Sequence, residues 1–278
     1  MQPAECLSYI DSQQQQQEVG SSQWWELEAV QLTWLFDFQQ NDELYAELRP
    51  WLNNQDVPEQ HQPLISMLYG KWLARNARNE EAKEALTQAL NGFEALYDKQ
   101  HSQQTALLIL NLMVELNRFE RAEKFVKGLV EKQYKDEAFY REVYAELGHI
   151  AYLNKENTKH IKYRLESLHW ALKTPDDQQK AVAYNNYAIA LRMNGEYKKA
   201  REAFLAGLDV ATQAGDEVRV NTIRLKLAEL ALIQNNLDKA HFWLRKVEVD
   251  HLPSTAFGEY RKLSVNMRDR IVKERESR

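Results

Sequence analysis

The chain has 278 residues, of which 44% are hydrophobic, and it contains only 9 glycines and 6 prolines. A chain of this composition can bury a large core, and the scarcity of glycine and proline excludes a fold made of many short strands joined by turns. The net charge of -5 argues against a nucleic-acid partner, and the single cysteine, Cys6, excludes an intrachain disulfide and a cysteine-based metal site. Because Glu, Lys, Leu, Ala and Gln dominate, and all are good helix formers, we expect an all-α protein.

The first segment, residues 1–22, contains five consecutive glutamines and is of low complexity. This composition predicts disorder. The opening residues lack a basic stretch followed by an apolar one, so no signal peptide is predicted. No run of about 18 apolar residues occurs in the chain, so no membrane-spanning helix is predicted either. Together these features favour a soluble, cytoplasmic protein.

The second segment, residues 23–62, carries an apolar helical pattern that breaks at the polar turn QQND. We interpret it as a degenerate first repeat. Four of the seven tryptophans fall between residues 24 and 52. A tryptophan cluster at the end of a stack of helices is more often the core of a cap than a binding platform, so we predict a cap here.

The third segment, residues 63–250, is repetitive. Each unit has an apolar-periodic helix, a short polar break and a second amphipathic helix. Two positions twelve residues apart mark each unit, and the first markers recur every 40 residues with one step of 38. A small residue at a helix crossing allows close approach, and a pair that cannot cover its own apolar face must stack on its neighbours. The markers are Gly70 and Ala82, Leu110 and Ala122, Gly148 and His160, Ala188 and Ala200, and Ala228 and Ala240.

Residue types also suggest helix boundaries and the end of the stack. Thr174 before Pro175 predicts an N-cap followed by proline in the first helical position. Gly215 before Asp216 predicts a helix stop followed by a new N-cap. Residues 251–278 are predicted to form a C-terminal capping helix with a basic tail.

The two ends of the chain have opposite charge. Residues 1–60 contain eleven acidic residues and one basic residue, whereas residues 261–278 contain seven basic and three acidic residues. Two interpretations remain open: solvated ends without a further role, or docking surfaces that attract each other between molecules and give weak head-to-tail self-association.

The stretch from residue 181 to residue 214 resembles the tetratricopeptide repeat family closely. The resemblance extends over residues 63–250 and, more weakly, over residues 24–52. It implies a right-handed α-solenoid of about six helix-turn-helix repeats with a C-terminal capping helix. The period of 40 is similar to that of the repeats in bacterial signalling regulators and kinesin light chains. The residues on signature sites are Tyr184, Tyr187, Ala188, Leu191, Gly195, Tyr197, Ala200, Phe204 and Gly207.

One unit departs from the family pattern, because His160 stands where a small residue belongs. The resemblance nevertheless implies a domain that binds protein or peptide partners and is not an enzyme. The sequence contains none of the motifs GxxxxGK[ST], HExxH, GxSxG and GxGxxG. We therefore expect no catalysis, no cofactor and no metal site.

The resemblance also implies that the first helix of each pair lines a concave groove. Counting from the packing residues places a set of candidate partner-binding side chains on that face. An asparagine there can both donate to and accept from a peptide backbone. The candidates are Lys71, Arg75, Asn111, His149, Tyr152, Asn185, Arg192 and Glu229.

Asn185 and Asn186 lie inside a predicted helix, where asparagine is a poor helix former. For Asn185 two roles remain open: a contact to a partner in the groove, or a bond to an adjacent repeat. For Asn186 the bond between repeats is favoured. A groove of mixed polarity favours a scaffold in bacterial regulation or signalling. The alternatives are a self-associating structural adaptor and a chaperone for a secreted substrate.

Overall fold

The computed structural model describes residues 3–132 and 134–276, and within them it is all helical, with no strand. Three short 3-10 helices cover Arg49–Trp51, Val249–His251 and Ser254–Ala256. The α-helices are α1 (Pro3–Gln14), α2 (Ser22–Asp37), α3 (Asn41–Leu48), α4 (Gln62–Arg75), α5 (Asn79–Gln100), α6 (Gln103–Glu115), α7 (Phe119–Glu131), α8 (Glu137–Leu153), α9 (Asn157–Ala171), α10 (Asp177–Met193), α11 (Tyr197–Gln213), α12 (Glu217–Ile233), α13 (Leu237–Arg245) and α14 (Phe257–Glu276).

Helices α2 to α13 form six consecutive helix-turn-helix pairs, and α14 follows the last pair as the predicted capping helix. The predicted all-α fold class of about six repeats is confirmed. The chain divides into two compact units, Met1–Gly128 and Leu129–Arg278.

The six turns share one local geometry. Each contains a residue with a left-handed φ between 55° and 80°, and the next N–H donates to a carbonyl five residues earlier, as Glu196 N does to Leu191 O at 2.9 Å. This is the hydrogen bond of a Schellman motif, which closes a helix and reverses the chain. The left-handed residues are Gln39, Ala77, Asn117, Lys155, Gly195 and Asn235.

In the first unit, the structure differs from the prediction of disorder over residues 1–22. A helix forms at Pro3–Gln14, Ile10 is 4% exposed, and Gln14 Nε2 donates to Glu28 Oε2 at 2.7 Å. The glutamines are good helix formers, and α1 gains stability by packing on α2. Residues 1 and 2 of the predicted disordered segment lie outside the described residues.

The tryptophan cluster of the first unit is part of the core. Trp25 is 2% exposed, and its ring meets Trp24 and Trp51 edge to face at centroid distances of 5.0 and 4.9 Å. His61 stacks on Trp25 at 5.6 Å. The rings therefore fill the space beside α2 and offer no open platform.

Small residues mark the helix crossings in both units. In the first unit, a Cβ on Gly70 would lie 2.8 Å from Leu86 Cγ, and in the second a Cβ on Gly207 would lie 2.9 Å from Tyr184 Cβ. Ala188 and Ala200 are fully buried in the core of the second unit, together with Phe204. The crossings tolerate no larger side chain without displacement, as the sequence pattern predicts.

The departure at His160 has a packing explanation. Gly148, its partner twelve residues earlier, leaves room for the side chain of Arg164, whose Nε lies 2.8 Å from where a Cβ on Gly148 would be. Arg164 donates to Ala145 O at 3.0 Å and to His160 Nε2 at 3.4 Å. This helix pair therefore replaces an apolar crossing by a polar one.

One predicted helix start is wrong by two residues. The cap of α10 is Asp176, whose side chain accepts from Gln179 N at 3.0 Å, whereas Thr174 Oγ1 donates back to Ala171 O at 2.8 Å. Thr174 thus ends the preceding helix. The predicted stop at Gly215, with Asp216 as the next cap, is present.

Candidate partner-binding site

The candidate groove residues all lie on the first helices of their pairs, and the two units treat them differently. In the first unit, Lys71 Nζ on α4 donates to Asn111 Oδ1 on α6 at 3.2 Å and lies 3.7 Å from Glu115 Oε2. Asn111 therefore meets Lys71 across two neighbouring repeats. Both side chains are partly buried, and their polar groups already have partners inside the protein.

Arg75 in the first unit binds the preceding pair. Its guanidinium carbon lies 3.8 Å from the ring centroid of Phe36, and its Nη1 donates to Asn41 Oδ1 at 2.9 Å and to Phe36 O at 3.2 Å. A cation over an aromatic ring and a hydrogen bond to a helix-end carbonyl both stabilise the contact of α4 with α2 and α3. The geometry gives Arg75 a structural role in joining repeats.

In the second unit, His149 and Tyr152 on α8 are exposed, Tyr152 by 46%. Their rings lie 6.5 Å apart, and the Tyr152 ring lies 5.6 Å from that of His160. His160 itself is buried, and burial, with the nearby Arg164 cation and His149, lowers its pKa to about 4. It is neutral near pH 7, so only His149 and Tyr152 of this group are presented to solvent.

Asn185 on α10 is 5% exposed, so the structure places it beneath the surface. Its Oδ1 is shielded from solvent and accepts no hydrogen bond. A buried acceptor without a donor costs about 1–3 kcal/mol. The oxygen therefore does not form the bond between repeats that was one of the two roles left open. Asn186 is half-buried.

Arg192 lies two turns after Asn185 on the same face of α10 and forms an ion pair with Glu229 on α12. Lys226 extends the pair, because its Nζ lies 3.8 Å from Glu229 Oε2 and 2.6 Å from Glu259 on α14. We call Asn185, Arg192, Lys226, Glu229 and Glu259 the α10–α12 polar site. Arg192 Nε and Glu229 Oε2 are buried without a hydrogen bond.

Sequence reasoning missed two members of this site. Lys226 could have been found, because it precedes Glu229 by three residues, a spacing that places both on one face of a helix. Glu259 could not, since it lies on the capping helix, and no periodic pattern relates that helix to α12.

Three further side chains form a candidate cation site, but their surroundings do not favour a metal ion. Glu217, Glu248 and His251 place one ligand atom each within 4.8 Å of one another. All three are exposed, and Glu248 Oε1 already lies 3.3 Å from Arg224 Nη1. A guanidinium at that distance competes with a metal ion for the carboxylate.

No helix in the described part of the chain is both long and apolar enough to cross a membrane.

Comparison with known proteins rests on structure alone. No family model matches the sequence, and no curated protein matches it. A tetratricopeptide repeat protein from Parabacteroides merdae superposes with a TM-score of 0.57 at 12% identity, covering 95% of this chain and 92% of that one. The chain has the tetratricopeptide-repeat fold.

Two further structures share the tetratricopeptide-repeat fold found here. The APC/C hetero-tetramer Cut9–Hcn1 matches with a TM-score of 0.62 at 14% identity over 94% of this chain, and the apo form of RapI with a TM-score of 0.59 at 14% identity over 80%. This chain spans 45% and 63% of the length of those two chains. The likeness concerns the fold, and it confirms the resemblance seen in the sequence.

Proposed function

We propose that the protein is a non-catalytic scaffold that binds a protein or peptide partner on the face formed by the first helices of its repeats, the first-helix face. The α10–α12 polar site would contact this partner. The observation that carries the proposal is the combination found there. Asn185, Arg192 and Glu229 contain buried atoms without hydrogen bonds, while the charged side chains around them remain partly exposed.

Polar groups that lack hydrogen bonds within the protein can form them with a bound chain instead. The Arg192 guanidinium can donate to a carbonyl or carboxylate of a bound chain, and Asn185 Oδ1 can accept from a backbone N–H. Because the Asn185 oxygen is shielded in the free protein, binding requires side chains at the site to move. Rotamer changes of this kind are common at protein interfaces.

The mixed polarity of the face supports a regulatory scaffold over a chaperone. Exposed Tyr152 stands beside exposed His149, and the charged network of Arg192 and Glu229 follows on the next helices. A chaperone for unfolded substrate would need a more continuous apolar surface. The long repeat period, similar to that of bacterial signalling regulators, supports a role in regulation in the bacterial cytoplasm.

The test uses a photo-crosslinking amino acid at Tyr152, followed by capture from the native cell and mass spectrometry. The variant Asn185→Leu with Arg192→Ala should lose the captured partner and bind it about tenfold more weakly after purification. The matched control is Gln213→Leu with Arg201→Ala, which makes the same two changes at exposed positions of α11. Equal affinity of both double variants would place the partner elsewhere.

Self-association is a second candidate, favoured by one observation. The outer face of α14 exposes Val265 by 56%, about one helical turn after the exposed basic residues Arg261 and Lys262. The opposite charge at the other end of the chain makes head-to-tail contacts between copies favourable at low salt. Such contacts are screened when the Debye length falls to about 8 Å at physiological salt. Residues 277 and 278 of the basic tail lie outside the described residues.

Sedimentation velocity at low and physiological salt tests this second candidate. A dimer or larger species at low salt that dissociates at higher salt is expected. A monomer at both salts, at concentrations up to those of the crosslinking experiment, would exclude it under those conditions.

A further inference from the structure

A cleft of about 530 Å³ opens in the first unit, and its lining includes none of the candidate groove residues. Its cause is the short second helix of the first pair. Helix α3 has 8 residues, whereas its counterpart α5 has 22. After α3 the chain forms a 3-10 turn and an irregular segment, and residues 51–55 and Val57 of this stretch line the cleft against α4 and α5.

The floor of the cleft is apolar and its walls are polar. Ile65, Leu73 and Ala85 are buried at its base. Among its lining residues, all of them in the described part of the chain, there are two carboxylates, two aromatic rings, five amides and no basic side chain. The carboxylates are Glu81 and Glu84, the rings are Trp51 and Tyr69, and the amides are Asn53, Asn54, Gln55, Gln62 and Gln88.

Part of this lining is already engaged. Glu81 pairs with Arg78, the residue that precedes α5, and water screens this pair because both side chains are exposed. Gln62 Nε2 donates to Val57 O at 2.9 Å and holds the irregular segment against α4. Glu84 is exposed on α5. The carboxylate of Glu84 is therefore accessible to a ligand, and that of Glu81 would exchange Arg78 for the cation of the ligand.

We propose that this cleft binds a peptide segment that bears lysine or arginine. The cationic group would lie between the carboxylates of Glu81 and Glu84 and near the aromatic rings, which attract cations through their faces. The amide side chains can donate to and accept from a peptide backbone. The size of the cleft lies within the range of about 300–1,000 Å³ that is usual for ligand sites.

The charge of the surrounding chain supports a basic ligand. Residues 1–60 contain eleven acidic residues and one basic residue, and the segment that walls the cleft belongs to them. A concentration of one sign of charge raises the local concentration of an oppositely charged ligand and speeds its association. The proposal concerns a second binding surface and does not depend on the α10–α12 polar site.

The experiment titrates a fluorescent tetralysine peptide, acetylated at its amino end and amidated at its carboxyl end, into the full chain and follows its anisotropy. Saturable binding is expected. Glu81→Gln with Glu84→Gln should weaken it about fivefold or more, as expected for the loss of two exposed ion pairs. The control, Glu80→Gln with Glu120→Gln, removes two charges from exposed positions on α5 and α7 outside the cleft and should change the affinity less than about twofold.

Three results would overturn the proposal. The first is the absence of saturable binding, and the second is equal weakening by both double variants, which indicates diffuse attraction to an acidic protein. The third is spermidine binding as tightly as the peptide with the same dependence on Glu81 and Glu84, which assigns the cleft to a small amine. Asn185→Leu with Arg192→Ala should bind the peptide unchanged. Failure of the cleft and failure of the first-helix site are therefore distinguishable. Thermal unfolding of each variant verifies that it is folded.

Discussion

The two units place polar residues at corresponding positions of their first helices, but they satisfy them to different degrees. In the first unit, Lys71 and Arg75 have partners on neighbouring helices and stabilise the contact between repeats. In the second unit, Asn185 and Arg192 keep buried atoms without hydrogen bonds. Position in a repeat and residue type are therefore insufficient to identify a binding residue. We propose that the state of its hydrogen bonds distinguishes a residue that only joins repeats from one that can also bind a partner.

The largest expected effect tests what the units have in common, the packing at helix crossings. Gly70→Leu in the first unit and Ala200→Leu in the second should each lower the free energy of unfolding by about 1–3 kcal/mol or more, because each adds volume at a closed crossing. Thermal and urea unfolding measure this. Gly128→Ala, where a Cβ would meet nothing within 4 Å, is the control and should stabilise its helix slightly. Unchanged stability of Ala200→Leu would mean that the repeat register is wrong.

The next prediction concerns how the stability of each unit depends on pH. Each has a buried histidine with a lowered pKa: in the first unit burial lowers the pKa of His61 while the carboxylate of Glu26 raises it, and in the second burial and the Arg164 cation together lower the pKa of His160 to about 4. Between pH 6.5 and about pH 4 the histidine binds a proton in the unfolded chain but stays neutral in the folded protein. The free energy of unfolding therefore falls as the pH is lowered through this range.

This loss should amount to about 1–3 kcal/mol, and the second unit should account for most of it. Unfolding measured at pH 7 and pH 5 in His160→Gln and His61→Gln checks the assignment. The His160 variant should show the flatter pH dependence of the two. An equal change in both variants would remove the predicted difference between the units.

A third prediction compares two asparagines. Asn111→Leu should lower the free energy of unfolding by about 1 kcal/mol, because Lys71 loses its acceptor. Asn185→Leu should leave stability unchanged or raise it by up to about 1 kcal/mol, because it removes an acceptor that has no donor. Urea unfolding of the two variants checks this. A clear loss of stability in Asn185→Leu would show that the amide joins repeats and would remove the basis of the proposed site.

The smallest effect again concerns a feature that the units share. Ala77 and Lys155 occupy left-handed positions in the turns of the second and fourth pairs, where glycine is favoured. Ala77→Gly and Lys155→Gly should each raise the free energy of unfolding by about 0.5–1 kcal/mol, and Gly195→Ala should lower it by a similar amount. Thermal unfolding detects shifts of this size. Destabilisation by both glycine substitutions would contradict the common turn geometry.

Much of the fold was predictable because it depends on local and periodic signals. The spacing of Gly70, Ala188 and Ala200 predicted the helix crossings, and Gly215 with Asp216 predicted a helix boundary. The failures occurred where a local signal competed with packing. The glutamine-rich start suggested disorder, yet it forms α1 because Ile10 and Gln14 find partners on the neighbouring elements.

The candidate site was predictable only in part. The repeat register placed Asn185, Arg192 and Glu229 on first helices, and the structure brings Arg192 and Glu229 together. That Arg75 binds Phe36 and Asn41 depends on the distance between neighbouring helix pairs, which no repeat pattern describes. The cleft beside α5 is associated with the short α3 and was not predicted.

The sequence by itself determined the paired helices of the repeats and the residues at the crossings, because these depend on apolar periodicity and residue size within about 40 positions of chain. Only the tertiary structure decided which polar side chains satisfy one another. Three helices are joined by the ion-pair network of Arg192, Glu229, Lys226 and Glu259. Whether a carboxylate in it meets a cation depends on differences of a few ångströms in the spacing of these helices. Hydrogen bonds weaken steeply over such distances, so residue type and spacing cannot specify them.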